Sequence, residues 1–271
     1  MNDILQVQGL KKNYGNLSVL KSLDFSVKQG EIFALLGTNG AGKTTTLECI
    51  EGLRPYDGGK ITVNGKIGIQ LQSATLQAFI KPLEAVNLFA KWNKTEPDKD
   101  MLQTLGIYDF AKKKYTELST GQKRRLHLAL SLISNPDIIF LDEPTAGLDV
   151  EGQFSLHELI KTLKAQGKTI VLASHDMAEV EKLCDRIAIL KDGKIAFIGT
   201  IGELTATIGK QYTIYVTTIR GQQTYNTQNI TKTLLDILSE FKESGEEILD
   251  IRTDRGTLEQ HFINIARSNE Q

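Results

Sequence analysis

The stretch Gly37-Thr38-Asn39-Gly40-Ala41-Gly42-Lys43-Thr44 fits the pattern G-x-x-x-x-G-K-[ST] and lies between a predicted strand and a predicted helix. Residues 32–36 form a continuous apolar run, which is typical of a buried parallel strand. Residues 44–53 favour a helix that ends near a glycine. Glycines let the backbone approach a polyphosphate closely, so that loop N–H groups and the helix N-terminus face its oxygens. The stretch therefore predicts a nucleoside triphosphate site.

Two side chains of this loop have separate predicted tasks. Lys43 would reach the β- and γ-phosphates, and the Thr44 hydroxyl would ligate Mg²⁺. The alternative is a glycine-rich turn without a ligand, which the flanking strand and helix disfavour. The residues of this segment predicted to hold the nucleotide are Gly37, Thr38, Asn39, Gly40, Ala41, Gly42, Lys43, Thr44 and Thr45.

A second apolar strand, predicted at 137–141, ends in the carboxylates Asp142 and Glu143. Open α/β sheets bind their ligands at the carboxyl ends of the strands. Beside a phosphate-binding loop, Asp142 would hold Mg²⁺, and Glu143 would orient and deprotonate an attacking water. The alternative is a solvated acidic turn, which is common for a lone Asp-Glu pair but less expected after a buried strand.

Length and composition set limits on the function. The chain has 271 residues, 40% of them apolar and 24% charged, which favours one large packed domain or one domain with an appendage. A net charge of −1 argues against a general affinity for nucleic acid. Cys49 and Cys184 lie far apart, without metal-ligand spacing, so we expect reduced thiols in a cytosolic protein.

The sequence predicts no membrane span. Its N-terminus has neither a basic stretch nor an apolar segment of signal-peptide length. The longest uninterrupted apolar run is 32–36, whereas a bilayer span needs about 20 residues. We therefore expect that the chain does not cross a membrane by itself.

The pattern of the N-terminal part predicts a mostly antiparallel sheet around the phosphate-binding strand. Strand-like runs lie at 4–7 and 23–27. Asn64-Gly65, between strand-like runs at 61–63 and 66–69, predicts a two-residue hairpin. From about 76 to 132 the pattern turns helical, with Pro82 expected as the first residue of a helix.

Strands and helices then alternate up to residue 190, which implies a parallel sheet covered by helices. Asp192-Gly193 predicts a last hairpin. The expected fold class is α/β, a P-loop NTPase with a parallel core sheet, an N-terminal antiparallel part, an inserted helical subdomain and a small C-terminal α+β tail. The predicted domains are 1–208, with the helical subdomain at about 76–132, and 209–271. For the tail we expect strands at 212–216 and 248–251 and helices at 230–241 and 257–267.

The segment Leu118-Ser119-Thr120-Gly121-Gln122, followed by Lys123-Arg124-Arg125, identifies a family resemblance. Alone it would be a helix cap followed by an exposed basic turn. Ahead of the Asp142 strand, it closely resembles the signature motif of the ATP-binding cassette (ABC) ATPases, and the resemblance covers roughly residues 3–205. The usual motif is Leu-Ser-Gly-Gly-Gln, so Thr120 replaces its first glycine.

The resemblance implies further site residues. Tyr14 would stack on adenine, although a half-buried strand tyrosine is the alternative. Gln72 would sense Mg²⁺ and the attacking water, and Gln70 in the same strand is the alternative candidate for this role. His175, at the end of another apolar strand, would contact the γ-phosphate. Asp149 lies in the segment 146–149, which resembles the loop that links the two sites of a dimer.

In this family two cassettes meet head to tail, and the signature helix of each caps the ATP held by the other. Ser119, Gly121 and Gln122 would therefore contact the partner's nucleotide. The implied cofactors are ATP and Mg²⁺. The implied partners are a second ABC subunit, identical or different, and a separately encoded transmembrane permease. The implied location is cytoplasmic, on the inner face of the cell membrane and bound there through the permease, with no nucleic-acid partner.

Three uses of ATP fit the sequence unequally. Residues 252–262 resemble an ending frequent in exporter-type cassettes for drugs, lipids or polysaccharides, which favours the motor subunit of an exporter. The main alternative is an ABC ATPase that drives a non-transport complex, such as cofactor assembly or cell-wall remodelling. A small-molecule kinase would leave Leu118 to Gln122 and His175 unexplained.

Overall fold

The computed structural model describes residues 2–70, 75–207 and 212–255. The chain divides into two compact units, residues 1–198 and 199–271. The sequence placed the boundary after residue 208, and the assignment of residues 199–208 to the catalytic domain stays a prediction. No helix in the described part of the chain is both long and apolar enough to cross a membrane.

The elements of the first unit follow in chain order. They are β1 (Asp3–Tyr14), β2 (Leu17–Lys28), β3 (Ile32–Leu36), α1 (Lys43–Ile50), β4 (Gly58–Val63), β5 (Ile67–Gln70), α2 (Pro82–Trp92), α3 (Lys99–Thr104), two 3-10 helices (Ile107–Phe110 and Tyr115–Glu117), α4 (Thr120–Leu132), β6 (Ile138–Asp142), α5 (Val150–Ala165), β7 (Thr169–Ser174), α6 (Met177–Leu183), β8 (Arg186–Lys191) and β9 (Lys194–Gly199).

The strands form an antiparallel sheet of order β2-β1-β4 and a second sheet of order β5-β6-β7-β3-β8-β9. In the second sheet β5 to β8 pair in parallel, as the alternation of strands and helices predicted. Every residue of β3, β6 and β7 is buried, which explains their continuous apolar sequences. The predicted helix starting at Pro82 and the hairpin at Asp192-Gly193 are confirmed.

The predicted hairpin at Asn64-Gly65 is wrong. β4 pairs with β1, whereas β5 pairs with β6, so the two runs belong to different sheets. The amide N–H of Asn64 donates to the carbonyl of Ile4, and that of Lys66 donates to the carboxylate of Asp137. Gly65 has φ 138°, and a Cβ there would lie 2.8 Å from the Asp137 side chain. The glycine is therefore required where the chain passes from one sheet to the other.

The apolar faces of the two sheets and α1 form one core. Leu20, Phe25, Phe33, Leu47 and Phe140 belong to it, and the rings of Phe25 and Phe33 stack with centroids 5.6 Å apart. Burial of both sheets against α1 fixes the segment between β3 and α1 relative to the end of β6.

The second unit contains α7 (Ile201–Thr207), β10 (Tyr212–Thr218), β11 (Gly221–Thr227), α8 (Ile230–Ser244) and β12 (Ile248–Arg255). Its sheet has the order β11-β10-β12, and Ile214, Val216, Ile237 and Phe241 form its core. The predicted strands at β10 and β12 and the helix at α8 are confirmed, whereas β11 and α7 were not predicted. The predicted helix at 257–267 lies outside the described residues.

Candidate active site

The phosphate-binding stretch forms the turn between β3 and α1, as the sequence predicted. Gly42 has φ 104°, and a Cβ there would lie 2.7 Å from Leu20 Cδ2. A Cβ at Gly37 would lie 2.6 Å from the carbonyl oxygen of Leu190. The loop therefore needs glycine at these two positions because other elements pack directly against its backbone.

Lys43 lies inside this loop and is 6% exposed. Its Nζ donates to the carbonyl oxygen of Gly37 at 2.8 Å and to that of Thr38 at 3.4 Å. The same Nζ lies 3.6 Å from Glu143 Oε1. The ammonium group is thus placed where phosphate oxygens could replace the loop carbonyls as its partners.

Asp142 ends β6 next to the start of α1. Burial is the main cause that raises the pKa of Asp142, and Glu143 adds to it, whereas a hydrogen bond from Thr44 and the charge of Lys43 lower it. Among the described residues, Asp142 Oδ1 is buried and has no hydrogen-bond partner.

An unpartnered carboxylate oxygen beside a threonine hydroxyl suits a hard cation that prefers oxygen ligands, so these residues fit Mg²⁺. In the described part of the chain no cluster of three or more His, Cys, Asp or Glu side chains could hold a metal. A Mg²⁺ ion here would therefore need phosphate oxygens and water to complete its ligands.

Glu143 connects the phosphate-binding loop with the neighbouring strand. Its backbone has φ 48°, an unusual conformation for a residue other than glycine that costs about 1–3 kcal/mol. Two hydrogen bonds hold it there, one from its N–H to the carbonyl of Ala173 and one from the Ala146 N–H to its own carbonyl. One carboxylate oxygen faces Lys43, and the other lies 2.8 Å from His175 Nδ1.

His175 follows the last residue of β7, and its side chain is 57% exposed. Because β6 and β7 are parallel neighbours, Glu143 and His175 come from strand ends at the same edge of the sheet. The structure thus brings together Lys43, Thr44, Asp142, Glu143 and His175 from three separate motifs.

The phosphate-binding loop opens onto a cavity of about 390 Å³. Its lining comprises Leu17, Val19, Asn39, Gly40, Gly42, Lys43, Thr44, Thr45 and Glu143. Sequence reasoning missed Leu17 and Val19, since an apolar residue in a strand carries no local signal of a ligand.

Tyr14 ends β1 and is 41% exposed, without lining this cavity. Lys12 Nζ and Arg54 Cζ lie 5.5 Å and 5.4 Å from the centroid of its ring. Sequence reasoning also missed Arg54, which donates to Glu48 at 2.5 Å. The stacking role of Tyr14 stays a prediction.

The signature residues lie at the start of α4 and do not line the phosphate-binding cavity. The N–H of Gln122 donates to Ser119 Oγ at 3.2 Å, and the N–H of Ser119 donates to Gln122 Oε1 at 3.1 Å. Ser119, Thr120 and Gly121 line a second cavity of about 420 Å³ together with Asp149. Ser119, Gly121 and Gln122 thus lie away from the phosphate-binding cavity of their own chain. To contact a nucleotide as predicted, they would need one that is bound by a partner chain.

Gln72 lies outside the described residues. The alternative candidate, Gln70, is 2% exposed at the end of β5. Among the described residues, neither Oε1 nor Nε2 of its side chain has a hydrogen-bond partner. Gln70 does not line the phosphate-binding cavity. The role assigned to Gln72 stays a prediction.

Glu51 supplies a pH-dependent contribution to stability that no motif indicated. Burial, and then the charges of Asp142 and Glu48, raise its pKa from 4.5 to about 7. Because the folded pKa lies above the unfolded one, this carboxyl is neutral in both states below pH 4.5. As the pH rises to about 7, the unfolded state ionises first and stability is lost, by at most about 3 kcal/mol.

The Glu51→Gln variant is therefore expected to unfold at higher urea concentration than the wild type at pH 8 and at nearly the same concentration at pH 4.5. Urea titrations of both proteins at the two pH values test this. The exposed Glu158→Gln variant is the control, and an equal shift in both variants would contradict the account.

Comparison with known proteins identifies the family. The family model of the ABC transporter domain matches residues 20–146. The linearmycin resistance ATP-binding protein LnrL of Bacillus subtilis is 37% identical over 232 residues, and the match covers 79% of this chain and 75% of that protein. The Nod factor export ATP-binding protein I of Burkholderia orbicola is 36% identical over 208 residues, covering 70% of this chain and 68% of that protein.

A solved structure of an ATP-binding subunit of an ABC transporter is also similar, with a TM-score of 0.68 and 26% identity. The match covers 76% of this chain and 93% of that structure. The sequence relatives and the shared fold lead to one conclusion: this chain belongs to the ATP-binding proteins of ABC transporters, the subunits that bind and hydrolyse ATP.

Proposed function

We propose that the chain hydrolyses ATP with Glu143 as the general base and that this reaction drives export through a separately encoded permease. The observation that carries the first part is the placement of one carboxylate between Lys43 and His175, with distances of 3.6 Å and 2.8 Å. A base so placed adjoins both the phosphate-binding loop and a second polar group.

Each of the chain's own residues has a defined task in this proposal. Lys43 exchanges the carbonyls of Gly37 and Thr38 for phosphate oxygens. Thr44 and Asp142 would hold Mg²⁺, which neutralises charge that develops on the phosphates. Glu143 accepts a proton from the attacking water, while His175 holds its second oxygen through Nδ1 and presents the other ring nitrogen to the γ-phosphate.

The second cavity, lined by Ser119, Thr120, Gly121 and Asp149 and called the signature cavity from here on, supports a head-to-tail pair. Proteins of this family dimerise and work with a transmembrane permease. A second helix N-terminus presented to the γ-phosphate adds N–H donors and dipole only while that phosphate is present, so closure follows ATP binding and hydrolysis reopens the pair. An identical and a different second subunit both fit this arrangement.

Export is supported by the names of two relatives. LnrL is named for resistance to linearmycin and the Burkholderia protein for Nod factor export. We infer that this chain also energises export. It binds the cytoplasmic face of the membrane through its permease, and we expect no nucleic-acid partner. No relative reported above is named for a non-transport complex.

Co-purification tests the transport assignment. We expect the tagged chain, isolated from its native cells in mild detergent, to bring a polytopic membrane protein in near-equal amount. Cells with the untagged chain are the control. Recovery of soluble partners or ribosomes alone would contradict the transport assignment and leave the ATPase assignment standing.

A further inference from the structure

A buried carboxylate is hydrogen-bonded to the strand end that carries His175. Glu179 on α6 is 4% exposed, and Ser174 at the end of β7 is fully buried. The Ser174 hydroxyl donates to Glu179 Oε2 at 2.6 Å and accepts from the N–H of Asp176 at 3.0 Å. Glu179 thus holds, through one hydroxyl, the two residues that flank His175 in the chain.

The second oxygen of Glu179 faces α5. His157 Nε2 lies 3.5 Å from Glu179 Oε1, and both side chains are largely buried. Among the described residues neither of these two atoms has a hydrogen-bond partner. An N–H···O hydrogen bond spans about 2.7–3.2 Å, so a movement of a few tenths of an ångström between α5 and α6 would form one. A buried acceptor without a donor is unfavourable, which favours that movement.

α5 also reaches the signature cavity. Asp149 caps its first turn by accepting from the N–H of Gly152 at 2.8 Å, and both residues line that cavity. His157 lies on the same helix. A displacement of α5 caused by a partner at the signature cavity would therefore change the distance between His157 and Glu179.

We propose that Glu179 is a positioning residue for His175. Through the contact between Glu179 and His157, the orientation of His175 then depends on the position of helix α5. The inference rests on the proposed role of His175 at the γ-phosphate. The network continues from Asp149 through α5 to His157, Glu179, Ser174 and finally His175. Glu179 does not line the phosphate-binding cavity, so in this proposal it acts through His175.

Two variants test the hydrogen bond between Ser174 and Glu179, one at each partner. Glu179→Gln keeps the volume and weakens the hydrogen bond from Ser174, and Ser174→Ala removes the hydroxyl. We expect each to lower kcat for ATP hydrolysis by about 10-fold with less than about 2-fold change in KM, because small displacements of a positioned group reduce rate more than binding. Glu181→Gln, on the exposed side of α6, is the matched control and should leave both constants unchanged.

A double-mutant cycle separates positioning from a purely structural role. In a His175→Ala background, Glu179→Gln and Ser174→Ala should cause no further loss of kcat. An equal fold-loss in both backgrounds, or a Glu179→Gln variant that behaves like Glu181→Gln, would overturn the proposal. If Glu179→Gln fails to unfold cooperatively, Ser174→Ala decides the test alone.

The imidazole Cε1–H resonance of His175 gives a readout without catalysis. In the nucleotide-free chain it should shift in Glu179→Gln and Ser174→Ala but not in Glu181→Gln, and an unchanged resonance in the first two would overturn the proposal. Normal hydrolysis by His175→Ala would instead remove the proposed role of His175 while the resonance still measures positioning.

Discussion

Replacing Glu143 by Gln is expected to lower kcat for ATP hydrolysis by roughly 10²–10⁴-fold, the range for loss of a general base. The amide keeps the size of the side chain but cannot accept the proton of the attacking water. ATP affinity should change little, since Lys43 and the backbone of the phosphate-binding loop remain. Turnover and nucleotide binding, measured on the purified chain with its co-purified partners, check both parts.

The exposed Glu158→Gln variant controls for loss of one negative charge and should turn over ATP at the wild-type rate. Turnover of Glu143→Gln within a few-fold of the wild type would remove Glu143 from the role of base. Loss of ATP binding in the same variant would indicate that its contacts with Lys43 and His175 serve mainly to shape the site.

Replacing Lys43 by Ala is expected to weaken ATP binding itself. The ammonium group is buried in the loop, and truncation of one partner of a buried hydrogen-bonded charge pair costs about 2–4 kcal/mol. This corresponds to about a 30- to 1000-fold rise in Kd. Equilibrium binding of a fluorescent ATP analogue measures it.

The control for this variant is Lys91→Ala, which removes an exposed lysine of α2. Its Kd should equal that of the wild type. An unchanged Kd in Lys43→Ala would contradict the assignment of the phosphate-binding loop.

The core of the fold could be predicted because its signals are local. A buried strand needs a continuous apolar run, and a close backbone turn needs glycine, so 32–36 and the loop after it could be recognised within a few residues. The placement of Glu143 and His175 at the ends of buried strands could also be predicted, whereas their direct contact depends on β6 and β7 being neighbours in the sheet.

The errors arose where a local signal had a distant cause. Asn64-Gly65 has the composition of a hairpin turn, but Gly65 is set by its approach to Asp137, more than seventy residues later in the chain. β11 was missed because its sequence is polar except for Tyr225, so no alternation of apolar and polar residues marks it.

The network behind His175 could not be predicted for a related reason. Glu179 has the sequence context of a solvated helix residue, and only the packing of α5 and α6 against β7 buries it. Burial of a charged residue depends on tertiary contacts, which one sequence does not reveal. The same holds for the raised pKa of Glu51, which depends on Asp142.

The central claim is that this chain's own loop and Glu143 form the hydrolytic site. The most direct test is the identity of radiolabelled nucleotide recovered from wild-type and Glu143→Gln protein after incubation with ATP and Mg²⁺. We predict ADP from the wild type and intact ATP from Glu143→Gln. Recovery of ADP from both at the same rate would contradict the claim.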